Sequence, residues 1–285
     1  APTVALVGDP RQLQAVRNAR GDAWAGASLF ERLADAGAAV HLLDMQYRMH
    51  PAISSYASAA SYGGLVRDGR PDAHFAALDA WRGGCRVLGP LSFLDLATSR
   101  EADTASASRS NPEEARLCRN VWDLLMRKSD EALDVAVVTF YREQLRELRR
   151  AFGDADGETR PEINTVDAFQ GREKDYVVIS CVRAGGDSVG FLRDARRLNV
   201  AMTRAKRGVI VVGREETLET DATWRVLLDH AAAAGGLFDV PNAEADLELL
   251  DAREGPRSRS PPRSRSRSPL PPSPRSRSPR PPSPA

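Results

Sequence analysis

The chain has 285 residues, more than a typical single domain requires, and 42% of them are hydrophobic, which is enough to bury a substantial core. The sequence contains neither a run of roughly 18 apolar residues that could span a bilayer nor a basic-then-apolar signal peptide. Length and composition therefore predict a soluble intracellular protein with more than one structural unit.

The charges are distributed unevenly along the chain. Residues 253–285 contain nine arginines and one acidic residue, so they carry +8, and because the whole chain carries +1, the remainder carries −7. An acidic body is no general polyanion binder, so we expect nucleic acid to bind it only in a local groove. The three cysteines, Cys85, Cys118 and Cys181, form no CxxC pair, and the sequence indicates neither a disulfide framework nor a metal site.

The first 44 residues predict a strand, a helix and a second strand. The segment VALVGDPRQL (4–13) is an apolar strand that ends at Gly8 and Asp9, with Gln12 one turn later. An amphipathic helix is predicted over 28–36 and an apolar strand over 40–43. Open α/β sheets bind ligands at the carboxyl ends of their strands, where Gln12 could hydrogen-bond a phosphate oxygen or an attacking water.

Residues 45–240 alternate between helical and strand patterns. The segment MQYRMHP (45–51) puts Tyr47, a flat amphipathic ring, beside Arg48, whose guanidinium matches phosphate geometry. Such alternation predicts a parallel sheet with helices on both faces. Helices are predicted near 53–60, 113–126, 142–152 and 223–234, strands at 135–139 and 209–212, and a surface loop at 99–111.

Two segments place polar residues between predicted elements. INTVDAFQGREKDYVVISCV (163–182) begins with two capping residues, Thr165 and Asp167, and bends at Gly171 before a charged run and an apolar strand. RRLNVAMTRAK (196–206) predicts a helix capped by Gly208. The helix would carry Arg204 on the face of Arg197, about 100° from an apolar stripe of Leu198, Met202 and Ala205.

Four motifs, GDPRQL, QYRMHP, VDAFQGREKD and RRLNVAMTRAK, occur in this order and together resemble the later motifs of superfamily 1 helicases. The resemblance is closest to the senataxin and nonsense-mediated-decay (Upf-type) RNA helicase family and covers residues 4–213. It implies an α/β, RecA-like P-loop NTPase fold. It also implies ATP hydrolysis coupled to translocation on single-stranded RNA or DNA, in RNA processing or decay.

The same resemblance implies a nucleotide site for ATP and Mg²⁺ between two RecA-like halves. The implied catalytic residues are Arg204 as an arginine finger, Arg48 at the γ-phosphate and Gln12 between that phosphate and the attacking water. The implied nucleotide contacts are base stacking by Tyr47, a ribose contact by Glu173 and a close backbone approach at Gly171. The implied nucleic-acid contacts are the backbone phosphates at Thr139 and Thr165, with Tyr141 as a stacking surface.

The domain organisation follows from the same alignment of motifs. Residues 1–44 are expected to be the C-terminal remnant of a first RecA-like domain, 45–240 a second RecA-like domain, and 241–252 a linker. Relatives carry a P-loop and a magnesium-binding Asp-Glu pair upstream of GDPRQL, whereas no GxxxxGK[ST] occurs here. We therefore expect the magnesium ligands and the P-loop to come from a preceding part of a longer protein, and this chain alone to be inactive.

Residues 253–285 predict a disordered tail rich in Arg, Ser and Pro, because this composition cannot bury a core. Arg-Ser repeats resemble those of mRNA-processing proteins, which implies RNA-processing partners, single-stranded RNA binding and a nuclear location with shuttling to the cytoplasm. Phosphorylation of five Ser-Pro sites would cancel the +8 charge. These sites are Ser260, Ser268, Ser273, Ser278 and Ser283. We expect a monomeric motor without membrane contact.

Other interpretations of the same residues remain. Taken singly, Tyr47 is an ordinary half-buried aromatic and Glu173 part of a solvated charge run. The chain could be a non-catalytic RNA-processing scaffold that docks through a helicase half and the tail, although a scaffold has no need of Gln12, Arg48, Glu173 and Arg204. A DNA replication helicase-nuclease would share these motifs, but no carboxylate nuclease cluster occurs in the sequence.

Overall fold

Helices and strands alternate along the chain, as the computed structural model shows for residues 4–14, 28–70, 74–75, 84–103, 108–153, 160–185, 188–253 and 256–259. The helices are α1 (Leu29–Asp35), α2 (Pro51–Ser61), α3 (Pro112–Lys128), α4 (Gln144–Phe152), α5 (Ala195–Met202), α6 (Glu215–Leu218), α7 (Ala222–Ala233) and α8 (Leu247–Arg253). The strands are β1 (Met45–Gln46), β2 (Arg67–Asp68), β3 (Leu91–Asp95), β4 (Ala102–Asp103), β5 (Arg109–Ser110), β6 (Val135–Thr139), β7 (Glu162–Thr165), β8 (Lys174–Ser180), β9 (Ala205–Gly213) and β10 (Leu237–Asp239).

Six strands form one parallel sheet in the order β10-β3-β9-β8-β6-β7. Because all six run the same way, their carboxyl ends lie at one edge, where Thr139 pairs with both Thr165 and Ser180. The opposite edge holds the starts of β8 and β9, where Lys174 pairs with Ala205. The sheet thus has two opposite edges, and each edge could bind a different ligand.

Side chains of the central strands alternate between two cores, as a sheet buried on both faces requires. Val138 and Ile179 lie in the core formed with α2, α5 and α7. Val137 and Val178 lie in the core formed with α3, α4 and α8. The predicted α/β, RecA-like arrangement of a parallel sheet covered on both faces is confirmed.

The two strands predicted in the first 44 residues are wrong. Residues 4–9 and 40–44 have no regular secondary structure, and their apolar side chains are exposed, with Val7 93% and Leu43 84% accessible. A strand needs a neighbour to satisfy its backbone groups, and no described strand pairs with either segment. The helix predicted between them is confirmed as α1, which begins at a Ser28–Glu31 capping box.

The segment predicted as a linker, 241–252, is instead part of the folded body. It contains most of α8, whose Leu247 and Leu250 are buried, and Asp251 accepts a hydrogen bond from the backbone N–H of Arg86 at 2.8 Å. The predicted disordered tail also starts too early, since residues 256–259 contact the body. The predicted loop 99–111 contains the short antiparallel pair β4 and β5. Of the described helices, none is long and apolar enough to cross a membrane.

Candidate nucleotide site

The QYRMHP segment forms a tight loop around the side chain of Gln46. Its Oε1 accepts hydrogen bonds from the backbone N–H groups of Arg48 and Met49, at 2.9 and 2.8 Å, and its Nε2 donates to the carbonyl of Met49 at 2.9 Å. One amide therefore satisfies the backbone groups that a turn would leave unpaired. The loop is held closed, and the ring of Tyr47 projects outward with 58% of its surface exposed.

The outward position of Tyr47 depends on a glycine that the motif analysis missed. A Cβ atom on Gly69 would lie 2.3 Å from Cε1 and 2.7 Å from Cζ of Tyr47, so the ring packs directly over the glycine backbone. The backbone N–H of Gly69 donates to the carbonyl of Gln46 at 2.8 Å, which fixes this approach. In the sequence, Gly69 has only the signature of an ordinary turn residue.

Arg48 lies between a carboxylate and a backbone carbonyl. Its Nε donates to Glu173 Oε2 at 2.9 Å and its Nη1 donates to the carbonyl of Thr203 at 3.0 Å. Glu173 also pairs with Nζ of Lys206 at 3.1 Å. The hydrogen bonds from Lys206 and Arg48 lower the pKa of the Glu173 carboxyl, which keeps it ionised. The sequence-predicted pair Arg48 and Glu173 is thus brought together in the structure.

These groups line an open cavity of about 450 Å³. Its lining consists of Tyr47, Arg48, Arg70, His74, Phe75, Glu173, Asp175, Lys206 and Arg207. The lining combines aromatic rings with cations, the chemistry of a base and ribose site flanked by phosphates. The backbone of His50 donates to the carbonyl of Lys206 at 2.8 Å, so the loop and the start of β9 form one wall.

Arg204 is not on the helix where the sequence pattern placed it. Helix α5 ends at Met202, and strand β9 begins at Ala205, so Arg204 lies in the connection. The backbone N–H of Lys174 donates to the carbonyl of Arg204 at 3.0 Å, which joins the chain to the sheet before a further helical turn can form. Gly208 accordingly lies inside β9 and is not a helix cap.

Arg197 and Arg204 also do not share a surface. Arg197 pairs with Asp167 at 3.0 Å on the outside of α5. Arg204 is 3% exposed. The predicted burial of Leu198, Met202 and Ala205 is confirmed, but they do not form one helical stripe, because Ala205 is the first residue of β9.

The buried guanidinium of Arg204 is held by neutral oxygen atoms. Its Nε donates to the carbonyl of Val200 at 3.0 Å, and its Nη2 donates to Oγ1 of Thr203 at 2.9 Å and to Oε1 of Gln12 at 3.0 Å. Burial, followed by the nearby charge of Arg48, lowers the pKa of Arg204 to about 10. A cation in this environment binds an anion strongly, because its own partners do not offset its charge.

Gln12 is oriented by the GDPRQL turn. Its Nε2 donates to Oδ2 of Asp9 at 2.8 Å, so its carbonyl oxygen faces Arg204. The hydroxyl of Tyr62 donates to the same Asp9 oxygen at 2.6 Å, and Asn199 Nδ2 donates to this hydroxyl at 2.9 Å. Burial and the bond to Asp9 raise the pKa of Tyr62 to about 12. The sequence analysis missed Tyr62 and Asn199, which tie the first motif to the rest of the site.

Arg48 and Arg204 converge on one residue, Thr203. Arg48 binds its backbone carbonyl and Arg204 binds its hydroxyl. Gln12 bonds to Arg204, and Tyr47 lines the same cavity as Arg48. Guanidinium groups and an exposed aromatic ring are suited to the phosphates and the base of a nucleotide.

Gly171 occupies a turn with φ of 84°, and a Cβ atom there would have no neighbour within 4 Å. The backbone there is exposed, and the nucleotide contact at Gly171 stays a prediction. The neighbouring capping prediction is wrong. Thr165 ends β7, and the short 3-10 helix Asp167–Phe169 has no side-chain cap, because its N-cap residue is Val166. Asp167 lies inside the helix and pairs with Arg197.

The predicted nucleic-acid residues lie at the opposite edge of the sheet, and two of the three are not accessible. Thr139 is fully buried, and its hydroxyl accepts a hydrogen bond from the N–H of Tyr141 at 3.4 Å. Tyr141 is 3% exposed and makes an edge-on contact with Phe191, so it offers no stacking surface. Thr165 is half-buried at the end of β7. Of the three, only Thr165 reaches the surface where a phosphate could bind.

A buried carboxyl group that the sequence analysis missed organises this carboxyl edge. Oε2 of Glu114 accepts hydrogen bonds from Oγ of Ser180 at 2.7 Å and from the N–H of Val182 at 2.8 Å, and Asn111 Nδ2 donates to Oε1 at 3.2 Å. Val182 has φ of 73°, a strained value for a β-branched residue. Burial raises the pKa of Glu114 to about 8 despite these hydrogen bonds.

Within the described ranges there is no group of three or more His, Cys, Asp or Glu residues that could hold a metal ion. The three cysteines are free and buried. We therefore assign no magnesium ligand to these residues. The donors that are present, guanidinium, amide and hydroxyl groups, suit the phosphates of a nucleotide.

Comparison with known proteins relates the chain to an AAA-domain family model and to several helicases. A family model described as an AAA domain matches residues 25–216. The chain is 37% identical over 268 residues to the probable helicase MAGATAMA 3 of Arabidopsis thaliana, covering 88% of this chain and 32% of the relative. It is 36% identical over 263 residues to helicase SEN1 of Saccharomyces cerevisiae, covering 86% and 12%, respectively. It is 36% identical over 256 residues to regulator of nonsense transcripts 1 of Caenorhabditis elegans, covering 86% and 24%. The chain thus spans a third or less of each of these relatives.

Proposed function

Since the chain belongs to the AAA-domain family of superfamily 1 helicases, we propose that it forms the C-terminal motor half of an ATP-dependent RNA or DNA helicase. The observation that carries this proposal is the convergence of Arg48 and Arg204 on Thr203, with Gln12 bound to Arg204. In this account, the chain supplies one wall of an ATP site, and a P-loop half supplies the other.

The residues of this wall act by position and charge. Arg204 is held rigidly by four backbone and side-chain oxygens, so it can offset charge that develops on a transferring phosphoryl group without reorganising. Gln12 presents its amide beside that guanidinium, where it orients an attacking water. Mg²⁺, when bound with the nucleotide, would offset part of the charge of the phosphates, and its protein ligands would come from the P-loop half.

Nucleotide-dependent closure follows from the way the wall is held. In the structure Arg48 pairs with Glu173, whereas the hydrogen-bond partners of Arg204 among the described residues are neutral. A terminal phosphate would give both cations a stronger partner, so the closed arrangement is favoured while that phosphate is present and loses its advantage after hydrolysis. The closed state would thus bind the nucleotide more tightly before hydrolysis than after it, and this difference would drive translocation on single-stranded nucleic acid.

The nucleic acid would lie at the carboxyl edge, opposite the nucleotide wall, with Thr165 as the accessible contact. Such contacts hold the backbone without reading sequence, which suits a translocating motor. We further propose a role in RNA processing or decay and a nuclear location with shuttling. RNA-processing proteins would bind the Arg/Ser tail, whose affinity for RNA would fall on phosphorylation. The support for this is the similarity to SEN1 and to the regulator of nonsense transcripts, together with the tail composition.

The proposal is tested by RNA-stimulated ATP hydrolysis in the protein that carries this chain together with its P-loop half. Arg48→Ala should abolish most of the stimulated turnover, whereas Arg67→Ala should leave it unchanged, because Arg67 pairs with Asp44 away from the cavity. Full turnover in Arg48→Ala, or no ATPase under any nucleic acid in the unaltered protein, would refute the motor function. The chain alone should hydrolyse no ATP.

A further inference from the structure

Five carboxylates, which we call the acidic cleft, lie at the carboxyl ends of neighbouring strands and on the helices beside them. They are Asp95, Asp239, Glu215, Glu219 and Asp229. Asp95 ends β3 and pairs in register with Asp239, which ends β10. Glu215 begins α6, and its backbone N–H donates to Oδ1 of Asp95 at 2.8 Å. The cleft is remote from the nucleotide wall, which lies at the other edge of the sheet.

Arg257 from the predicted tail occupies one half of the acidic cleft. Its Nε lies 2.9 Å from Oδ1 of Asp239, and its Nη2 lies 3.5 Å from Oδ2 of Asp95 and also pairs with Glu215. The backbone N–H of Arg257 donates to the carbonyl of Leu237 at 2.6 Å, which attaches the tail to the edge strand β10. The contact therefore combines charge with a backbone hydrogen bond.

Arg259 occupies the other half. Its Nε, Nη2 and Nη1 atoms lie 2.8, 2.9 and 2.6 Å from carboxylate oxygens of Glu215, Glu219 and Asp229, respectively. The side chain of Arg259 is only 13% exposed. All three guanidinium nitrogens thus have a carboxylate partner, and the contacts with Asp229 and Glu219 are charge-assisted hydrogen bonds.

The adjacent carboxylates of the acidic cleft need cationic partners, because their negative charges repel one another. Asp95 and Glu215 are both largely buried and adjacent, and burial together with the charge of Glu215 raises the pKa of Asp95. Among the residues that the structure describes, the five carboxylates form ion pairs only with Arg257 and Arg259. Removal of the tail would leave neighbouring negative charges uncompensated.

The spacing of the two arginines matches the repeat in the tail. In an extended chain, alternate residues point to the same side, so an Arg-Ser-Arg triplet presents both arginines to one surface and the serine to the other. Ser258 is exposed, as this geometry requires. The triplet occurs at 257–259, 263–265, 265–267 and 275–277, and the first of these is bound in the acidic cleft.

We propose that the acidic cleft is a docking site for the Arg-Ser-Arg segment 257–259 of this chain and that phosphorylation of Ser258 releases the segment. In that modification, a protein kinase joins Oγ of Ser258 to the terminal phosphorus of a nucleoside triphosphate, the bond from that phosphorus to the diphosphate breaks, and the hydroxyl proton is released. The added charge of about −1.5 to −2 lies between two arginines that hold five carboxylates, so it competes for the arginines and repels the cleft. While 257–259 is docked, the point at which the tail leaves the folded body is fixed. Release of the segment removes this restraint.

Hydrogen exchange of backbone amides on the whole chain tests the proposal without any nucleotide. The amides of 257–259 should exchange at least about tenfold more slowly than those of 263–267, because Arg257 donates to Leu237. Ser258→Glu should remove most of this protection. Ser264→Glu, the same change in the next triplet, should leave it intact.

A second variant separates docking from folding. Glu219 and Asp229 each have 48% of the side chain exposed, so the double variant Glu219→Gln, Asp229→Asn should fold normally. Its amides in β8 and β9 should exchange at the unaltered rate. The amides of 257–259 should lose their protection. Equal exchange of the two tail segments in the unaltered chain would overturn the proposal. Full protection in Ser258→Glu would equally overturn it.

Discussion

Arg204 donates from Nη2 to Oε1 of Gln12 at 3.0 Å, a bond between residues 192 positions apart in the chain. It joins the first motif of the sequence to the last. Nε2 of Gln12 donates a hydrogen bond to Asp9, so the amide cannot rotate without losing both this bond and the bond from Arg204. This link makes the nucleotide wall a single unit, although its parts come from distant segments.

A substitution at Gln12 should therefore affect catalysis more than binding. Gln12→Ala is expected to lower ATP turnover by about 10², the magnitude typical of removing one positioned polar group from an active site. Nucleotide affinity should change little, because Arg48 and Tyr47 remain. Steady-state kinetics beside fluorescent-nucleotide titration distinguishes the two, and a variant that lost affinity but kept its turnover would contradict this role.

Gly69 is predicted to control the position of the Tyr47 ring. Gly69→Ala places a Cβ atom 2.3 Å from that ring, and because the ring is exposed it should move aside without unfolding the chain. Loss of one stacked base costs about 1–3 kcal/mol, so nucleotide should bind roughly 5- to 150-fold more weakly.

Titration with a fluorescent adenine nucleotide measures this effect. Tyr47→Ala should weaken binding by a similar factor, and Tyr47→Phe, which keeps the ring, should bind nearly as well as the unaltered protein. Unchanged affinity in Gly69→Ala would show that the ring does not contact the base.

Glu114 predicts a pH dependence of folding stability. Its pKa rises from the ordinary value of 4.5 to about 8 in the folded chain, so between these values the folded state binds more protons than the unfolded state. The contribution of this group to the free energy of unfolding is fully present below pH 4.5 and is lost as pH rises through about 8. Glu114→Gln lacks this dependence.

Urea unfolding at several pH values checks the difference between the two proteins. The free energy of unfolding of Glu114→Gln, relative to the unaltered chain, should rise by a few kcal/mol across this interval, since a pKa change of one corresponds to about 1.4 kcal/mol. Glu113→Gln, one residue away, serves as the control and should follow the unaltered chain. Parallel curves for all three proteins would exclude Glu114 as the titrating group.

Features set by local sequence could be predicted well. The strand Val135–Thr139 has the predicted limits. Local periodicity indicates which side chains are buried, and Leu198, Met202 and Ala205 are buried as predicted, although Ala205 lies in β9 and not on the helix.

Features set by distant contacts could not be predicted. The helix before Arg204 ends where Lys174 bonds to the carbonyl of Arg204, a sheet contact that no local pattern contains. No local pattern predicts the role of Gly69 either, because that role depends on close packing against Tyr47. Nor does one predict the role of Glu114, whose partners include Ser180, 66 residues away. The strands predicted at 4–8 and 40–43 were wrong for this reason also, because their patterns are apolar but no described strand pairs with them.

The most direct test of the motor account is single-turnover ATP hydrolysis with Arg204→Ala, in the protein that contains both halves of the site and in the presence of single-stranded RNA. An arginine finger contributes about 10³ to 10⁵ to the rate, so hydrolysis should fall by at least about 10³ while nucleotide still binds. Arg204→Lys shows whether charge alone suffices, and thermal unfolding shows that each variant is folded. Arg197→Ala, which removes the ion pairs with Asp167 and Asp194 on the outside of α5, should hydrolyse ATP normally. Equal turnover in Arg204→Ala and the unaltered protein would contradict the account.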